Sequence, residues 1–93
     1  MRVLELKNLY SEDIGLYYRR NYSALAVLEL PIKTTEVPID FIIEIGPLGN
    51  KEIYIDLKKS VDYPLIPLKK NIKEYILNKD NITNVYRFSK QNE

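Results

Sequence analysis

The clearest pattern in the chain lies between Pro38 and Leu57, where apolar and polar positions alternate on both sides of a turn. Phe41, Ile43 and Ile45 fall on one face, and Asp40, Ile42 and Glu44 on the other. After the turn, Ile53, Ile55 and Leu57 alternate with Glu52, Tyr54 and Asp56. A period of two in residues that are largely β-branched or aromatic marks a half-buried strand. Gly46, Pro47, Gly49 and Asn50 supply the turn, so the two runs are expected to pair as an antiparallel hairpin. One face of that hairpin is apolar. The other sets four carboxylates around Ile42 and Tyr54.

The same reading extends outward. Residues 1–9 place Leu4 and Leu6 on one face and Val3, Glu5 and Lys7 on the other, which predicts a first strand. Residues 10–15 break that pattern with polar residues and a glycine and read as a loop before the next strand; a short helix from Ser11 through Arg20 is the alternative. Residues 22–30 are nearly apolar on both faces, which predicts a central strand or one covered on both sides. Pro31 ends it, residues 32–37 form a connection, and Pro38 fits the first position of the following strand.

Beyond the hairpin, residues 58–63 read as an exit loop. Pro67 suits the first turn of a helix, where its missing N–H is no loss. Leu68, Ile72, Tyr75 and Ile76 make one stripe along that helix, the pattern of a helix laid on a core. Asn78 and Asn81 are its expected terminators. A short strand is expected at Val85 to Phe88, followed by a frayed end. The fold class is therefore α+β: a three- to four-stranded antiparallel sheet with one C-terminal amphipathic helix packed on one face. Residues 1–80 form a single small domain and residues 81–93 a tail.

Composition narrows the chemistry. Ninety-three residues allow one domain with a modest core. The chain has no Cys and no His, which removes disulfides, thiolate nucleophiles, the usual zinc sites and imidazole bases. An enzyme would rest on carboxylates, Lys or Tyr alone, and no spacing gathers them. The expectation is a protein without catalysis, metal or cofactor. No apolar run approaches the ~20 residues of a membrane span, and the N-terminus lacks a signal-peptide layout. A cytoplasmic protein without membrane association is the default expectation.

Charge changes the picture further. The net charge is +1, yet residues 1–57 carry six Lys/Arg against nine Asp/Glu, while residues 58–93 carry eight against four. The basic half starts where the hairpin ends. Lys58, Lys59, Lys69, Lys70 and Lys73 cluster around the helix entry, where cations would neutralise phosphates and release counterions; a solvated helix flank is the plainer reading. Tyr17, Tyr18, Arg19, Arg20 and Tyr22 combine aromatics that stack on bases with arginine forks that suit phosphates; ordinary alternation across a strand is the plainer reading. On the outer hairpin face, Asp40, Glu44, Glu52 and Asp56 surround Ile42 and Tyr54. That face is too acidic for open-sheet RNA recognition, and reads as a wet sheet face or as a protein contact through Ile42 and Tyr54.

The strand order and spacing of RVLELKN, SALAVLEL and IDFIIEIGPLGNKEIYIDLKK, with Tyr63-Pro64-Leu65 at the helix entry, resemble the SpoVG family of small bacterial regulators. The resemblance covers residues 3–78. It implies a curved antiparallel sheet with a helix, a homodimer, and binding of nucleic acid. Tyr63 stands where that family has histidine in its His-Pro-Ile helix entry. The family's Met-Pro and basic pair after the hairpin correspond here to Asp56-Leu57-Lys58-Lys59, and its basic insertion before the helix is largely missing. The resemblance carries over Lys58 and Lys59.

Two functions are expected on these grounds. The first is a small, non-catalytic, regulatory domain that binds DNA or RNA through Lys58, Lys59, Lys69, Lys70 and Lys73, with Arg19 and Arg20 in support. The second is a protein-interaction or self-association module that uses the outer face at Ile42 and Tyr54, or an edge strand. Whether the cations converge on one surface separates them.

Overall fold

A computed structural model describes the backbone of residues 1–12 and 15–83 and the side chains of residues 1–12 and 15–79. Four strands, β1 (Arg2–Glu12), β2 (Arg19–Glu29), β3 (Thr34–Ile45) and β4 (Lys51–Leu57), precede one helix, α1 (Leu65–Thr83). The strands form a single antiparallel sheet in the order β1-β2-β3-β4, an up-and-down meander. The fold is α+β, with a four-stranded sheet and one C-terminal helix.

Alternation in β2, β3 and β4 decides which face is covered. Tyr22, Ala24, Ala26 and Leu28 of β2 join Val37, Ile39, Phe41 and Ile43 of β3 and Ile53 and Ile55 of β4 in one buried cluster. Leu68, Ile72 and Ile76 of α1 complete it, each fully buried, so three of the four residues of the helical stripe read from the sequence form the packing surface, while Tyr75 is half-buried outside the cluster. Tyr22 stacks on Phe41, ring centroids 5.0 Å apart. The helix approaches both edge strands, β4 and β1, and so lies across this face, leaving the opposite one open. No described helix is long and apolar enough to cross a membrane.

Local chemistry explains where the elements begin and end. The β3–β4 turn is closed by Gly46 N–H to Asn50 O (2.7 Å) and Gly49 N–H to Gly46 O (2.9 Å). Gly49 takes φ +88°, a left-handed value that glycine adopts without steric cost. Pro67 sits in the first turn of α1, where its missing N–H would have had no helical acceptor.

Several boundaries differ from the sequence reading. β1 continues through Ser11 to Glu12 and β2 starts at Arg19, so Tyr10, Ser11 and Glu12 are strand and not loop, and Tyr17 and Tyr18 form a turn just before β2. Residues 34–37 belong to β3, and Pro38 lies inside that strand. The proline is tolerated because its backbone faces β4 and not β2: Pro38 O accepts from Lys58 N–H at 2.8 Å, and the N–H that proline lacks would point at Lys58, just past the end of β4, so the β2–β3 ladder loses no donor. The helix runs through Asn78 and Asn81 to Thr83, so neither asparagine terminates it. The expected strand at Val85 to Phe88 lies outside the described residues.

The first strand shows the most instructive departure. Its register against β2 shifts between Val3 and Glu5 and again between Lys7 and Tyr10. Each shift inserts one extra residue, a β-bulge, and Asn8 in the second takes φ +54°. A bulge reverses the facing of every later residue in the strand. Val3 and Leu6 therefore both pack on the core, while Leu4 is partly exposed, contrary to strict alternation. Tyr10 is turned to the open face, opposite Ser23. Two bulges in an edge strand also discourage edge-to-edge pairing.

Candidate functional site

The register places the open face in rows across the sheet. One row is Glu12, Asn21, Ile42 and Tyr54; the next is Tyr10, Ser23, Asp40 and Asp56; Arg19, Glu44 and Glu52 form a third. The first two rows enclose a shallow groove of about 490 Å³, with Tyr10 and Tyr54 on its two sides and Asn21, Ser23, Asp40 and Ile42 along its floor. Tyr10 and Tyr54 are 59% and 52% exposed, so both rings stand open to solvent at the sides of the groove.

The other end of the open face is closed. Lys7 Nζ reaches Glu36 Oε2 at 2.7 Å, spanning from β1 to β3 across β2 at Leu25 and Val27. Arg2 pairs with Glu29 at 3.1 Å beside it. Val27 is buried although it points away from the helix. The hydrogen bond to Glu36 raises the pKa of Lys7 above the ordinary lysine range. Accessible chemistry is thereby confined to the groove end.

Electrostatics on the open face are acidic. In direct register, Glu44 faces Glu52 and Asp40 faces Asp56, and like charges directly opposite destabilise a sheet. Each pair has drawn in one cation. Arg19 Nη1 lies 3.8 Å from Glu44 Oε2, and Lys58 Nζ bridges Asp40 Oδ2 at 3.1 Å and Asp56 Oδ2 at 2.9 Å. Ser23 Oγ donates to Asp40 Oδ1 at 2.9 Å. That hydrogen bond, then Lys58, holds the Asp40 carboxyl below the usual carboxylate range. Lys58 is raised by its hydrogen bonds to Asp56 and then Asp40. Arg19 Nε and Asn21 Oδ1 are sealed from solvent with no partner among the described residues, leaving polar capacity unspent beside the groove.

The basic residues singled out in the sequence do not share one surface. Lys58, Lys59 and Lys69 border a cleft of about 550 Å³ at the β4–α1 junction, with Tyr63 and Leu65. Lys58 is turned onto the open face by its two aspartates. Lys70 and Lys73 are exposed on α1, off the core stripe of Leu68, Ile72 and Ile76. Arg19 stands six β4 positions from Lys58, roughly 20 Å along the sheet by strand rise. Arg20 points to the opposite face from Arg19, pairing in register with Ile43 and donating to Tyr22 Oη at 3.2 Å. Ile42 and Tyr54, by contrast, are direct neighbours. Tyr10 is absent from the candidates read from the sequence, because only the bulge at Asn8 turns it to this face.

Among the described residues, no three acidic side chains gather in a geometry able to hold a metal ion. A model of the BB-0187 family matches residues 1–81, which takes in the whole sheet and nearly all of the helix. The chain belongs to that family. No curated protein and no solved structure matches it. In this member of the family the matched region includes every residue of the groove.

Proposed function

We propose that this domain is a non-catalytic docking module that takes a protein partner on the open face of its sheet. The observation that carries the reading is the Ile42–Tyr54 pair, an apolar patch rimmed by carboxylates on a face that no described layer covers. A second copy fits this face poorly, since it would bring carboxylates against carboxylates and repel. The test is co-purification of the tagged protein from its native cells, comparing wild type with Ile42→Lys. Loss of a stoichiometric partner is expected; a partner retained by the variant would contradict the reading.

A second reading has one specific observation in its favour. Lys59 and Lys69 border the same cleft as Lys58, a cationic entry to α1 in keeping with the SpoVG-like layout and with DNA or RNA as the ligand. Binding measured by anisotropy across salt concentrations should then weaken on Lys59→Gln with Lys69→Gln, and its salt slope should flatten. Unchanged binding in that double variant would remove the cleft as the contact.

A further inference from the structure

The outer ladder of β3 and β4 repeats a chemistry at a fixed interval. Along the strands it runs Glu44 with Glu52, then Ile42 with Tyr54, then Asp40 with Asp56. Successive rows are two residues apart, about 6.8 Å, and the two carboxylate rows are about 14 Å apart. The row at Asp40 already holds an ammonium, that of Lys58, with both carboxylates within 3.1 Å of it. Lys58 thus demonstrates what the row accepts. The row at Glu44 is only loosely served, by Arg19 at 3.8 Å, and Glu52 has no ionic partner among the described residues.

An extended chain presents positions i, i+2 and i+4 on one face at the same interval of about 6.8 Å. A helical segment compresses i to i+4 into about 6 Å and would reach only one carboxylate row. A polyanion meets repulsion at both. We propose that the partner docks as an extended protein segment of pattern cation-x-apolar-x-cation, its apolar residue on Ile42 and Tyr54, and that its cation at the Asp40–Asp56 row displaces Lys58. Lys58 is then an intramolecular stand-in for the partner, and its release is part of binding. This inference rests on the docking reading above and names the partner's chemistry.

The test uses two fluorescein-labelled peptides of equal composition, Ser-Arg-Thr-Val-Thr-Arg-Ser and Ser-Thr-Arg-Arg-Val-Thr-Ser, with duplex DNA as a third probe. Anisotropy is read at low and physiological salt. The patterned peptide should bind the full chain at least about threefold more tightly than the permuted one, and more weakly as salt rises. Lys58→Gln, which removes the internal competitor, should tighten the patterned peptide by about threefold. Asp56→Asn combined with Glu52→Gln should weaken it by a similar factor or more; both substitutions lie on exposed positions that the core does not use. Equal binding of the two peptides, binding of neither, or weaker binding by Lys58→Gln would each overturn the inference. If neither peptide binds while Ile42→Lys still releases the native partner, the cationic pattern fails and the docking reading stands. If the native partner also survives Ile42→Lys, the docking reading fails with it. Duplex binding without peptide binding overturns the inference in favour of nucleic acid.

Discussion

Ile42 of β3 stands directly opposite Tyr54 of β4, and the pair on either side of them sets one carboxylate against another. Ile43, one residue on, points to the opposite face and is fully buried in the core. Adjacent isoleucines thus have separate duties. Tyr54→Ala should change stability by less than about 1 kcal/mol in chemical denaturation, as exposed substitutions do, and Ile42→Lys, at a half-buried position, by about 1 kcal/mol. Ile43→Ala should cost about 2–5 kcal/mol, as truncation of a filled core site does. Comparable losses at 42 and 43 would mean that the open face is covered.

The ion network at Asp40 gives stability a defined pH dependence. Its carboxyl is held below the ordinary range of about 4 by Ser23 and Lys58. The unfolded chain therefore binds more protons between that ordinary range and the lowered folded value. The contribution is complete above about pH 4 and is lost as pH falls through the folded pKa. Asp40→Asn should flatten this acid limb in a denaturation series against pH. Lys58 is raised, so its contribution is complete below about pH 10.4 and is lost as pH rises through the higher folded value. Lys58→Gln should flatten that alkaline limb and leave neutral pH the least affected in shape.

Asn8 holds the left-handed residue of the second bulge in β1. Asparagine tolerates that region, glycine adopts it freely, and a β-branched residue strains there. Asn8→Gly should be nearly neutral in thermal unfolding. Asn8→Val should destabilise by about 1–3 kcal/mol. Because the bulge sets the direction of Tyr10, the valine variant should also quench or shift the signal of a probe attached at position 10 on the open face.

The sheet-forming core was legible because its cause is local. Period-two alternation in Phe41–Ile45 and Ile53–Leu57, and the stripe at Leu68, Ile72 and Ile76, each name their buried face without reference to the rest of the chain. The departures share a different cause. Leu4 and Val3 exchange roles because a bulge shifts parity, and no alternation rule anticipates an inserted residue. Pro38 survives within β3 because its partner is the end of β4, a fact of register and not of propensity. The candidate site was half legible for the same reason. Ile42 and Tyr54 are set by the hairpin itself. Tyr10 joins the groove only through the bulge in β1, and Lys58 reaches the open face only because its side chain turns back onto two aspartates.

The open face can be interrogated directly by placing a photo-crosslinking amino acid at position 54 and, in a separate variant, at position 70 on the exposed side of α1, followed by irradiation of the native cells. A discrete protein adduct from position 54 and none from position 70 is the result expected of a domain that docks its partner on the Ile42–Tyr54 face. An adduct from position 70 with none from position 54, or a nucleic-acid adduct at either, would contradict it.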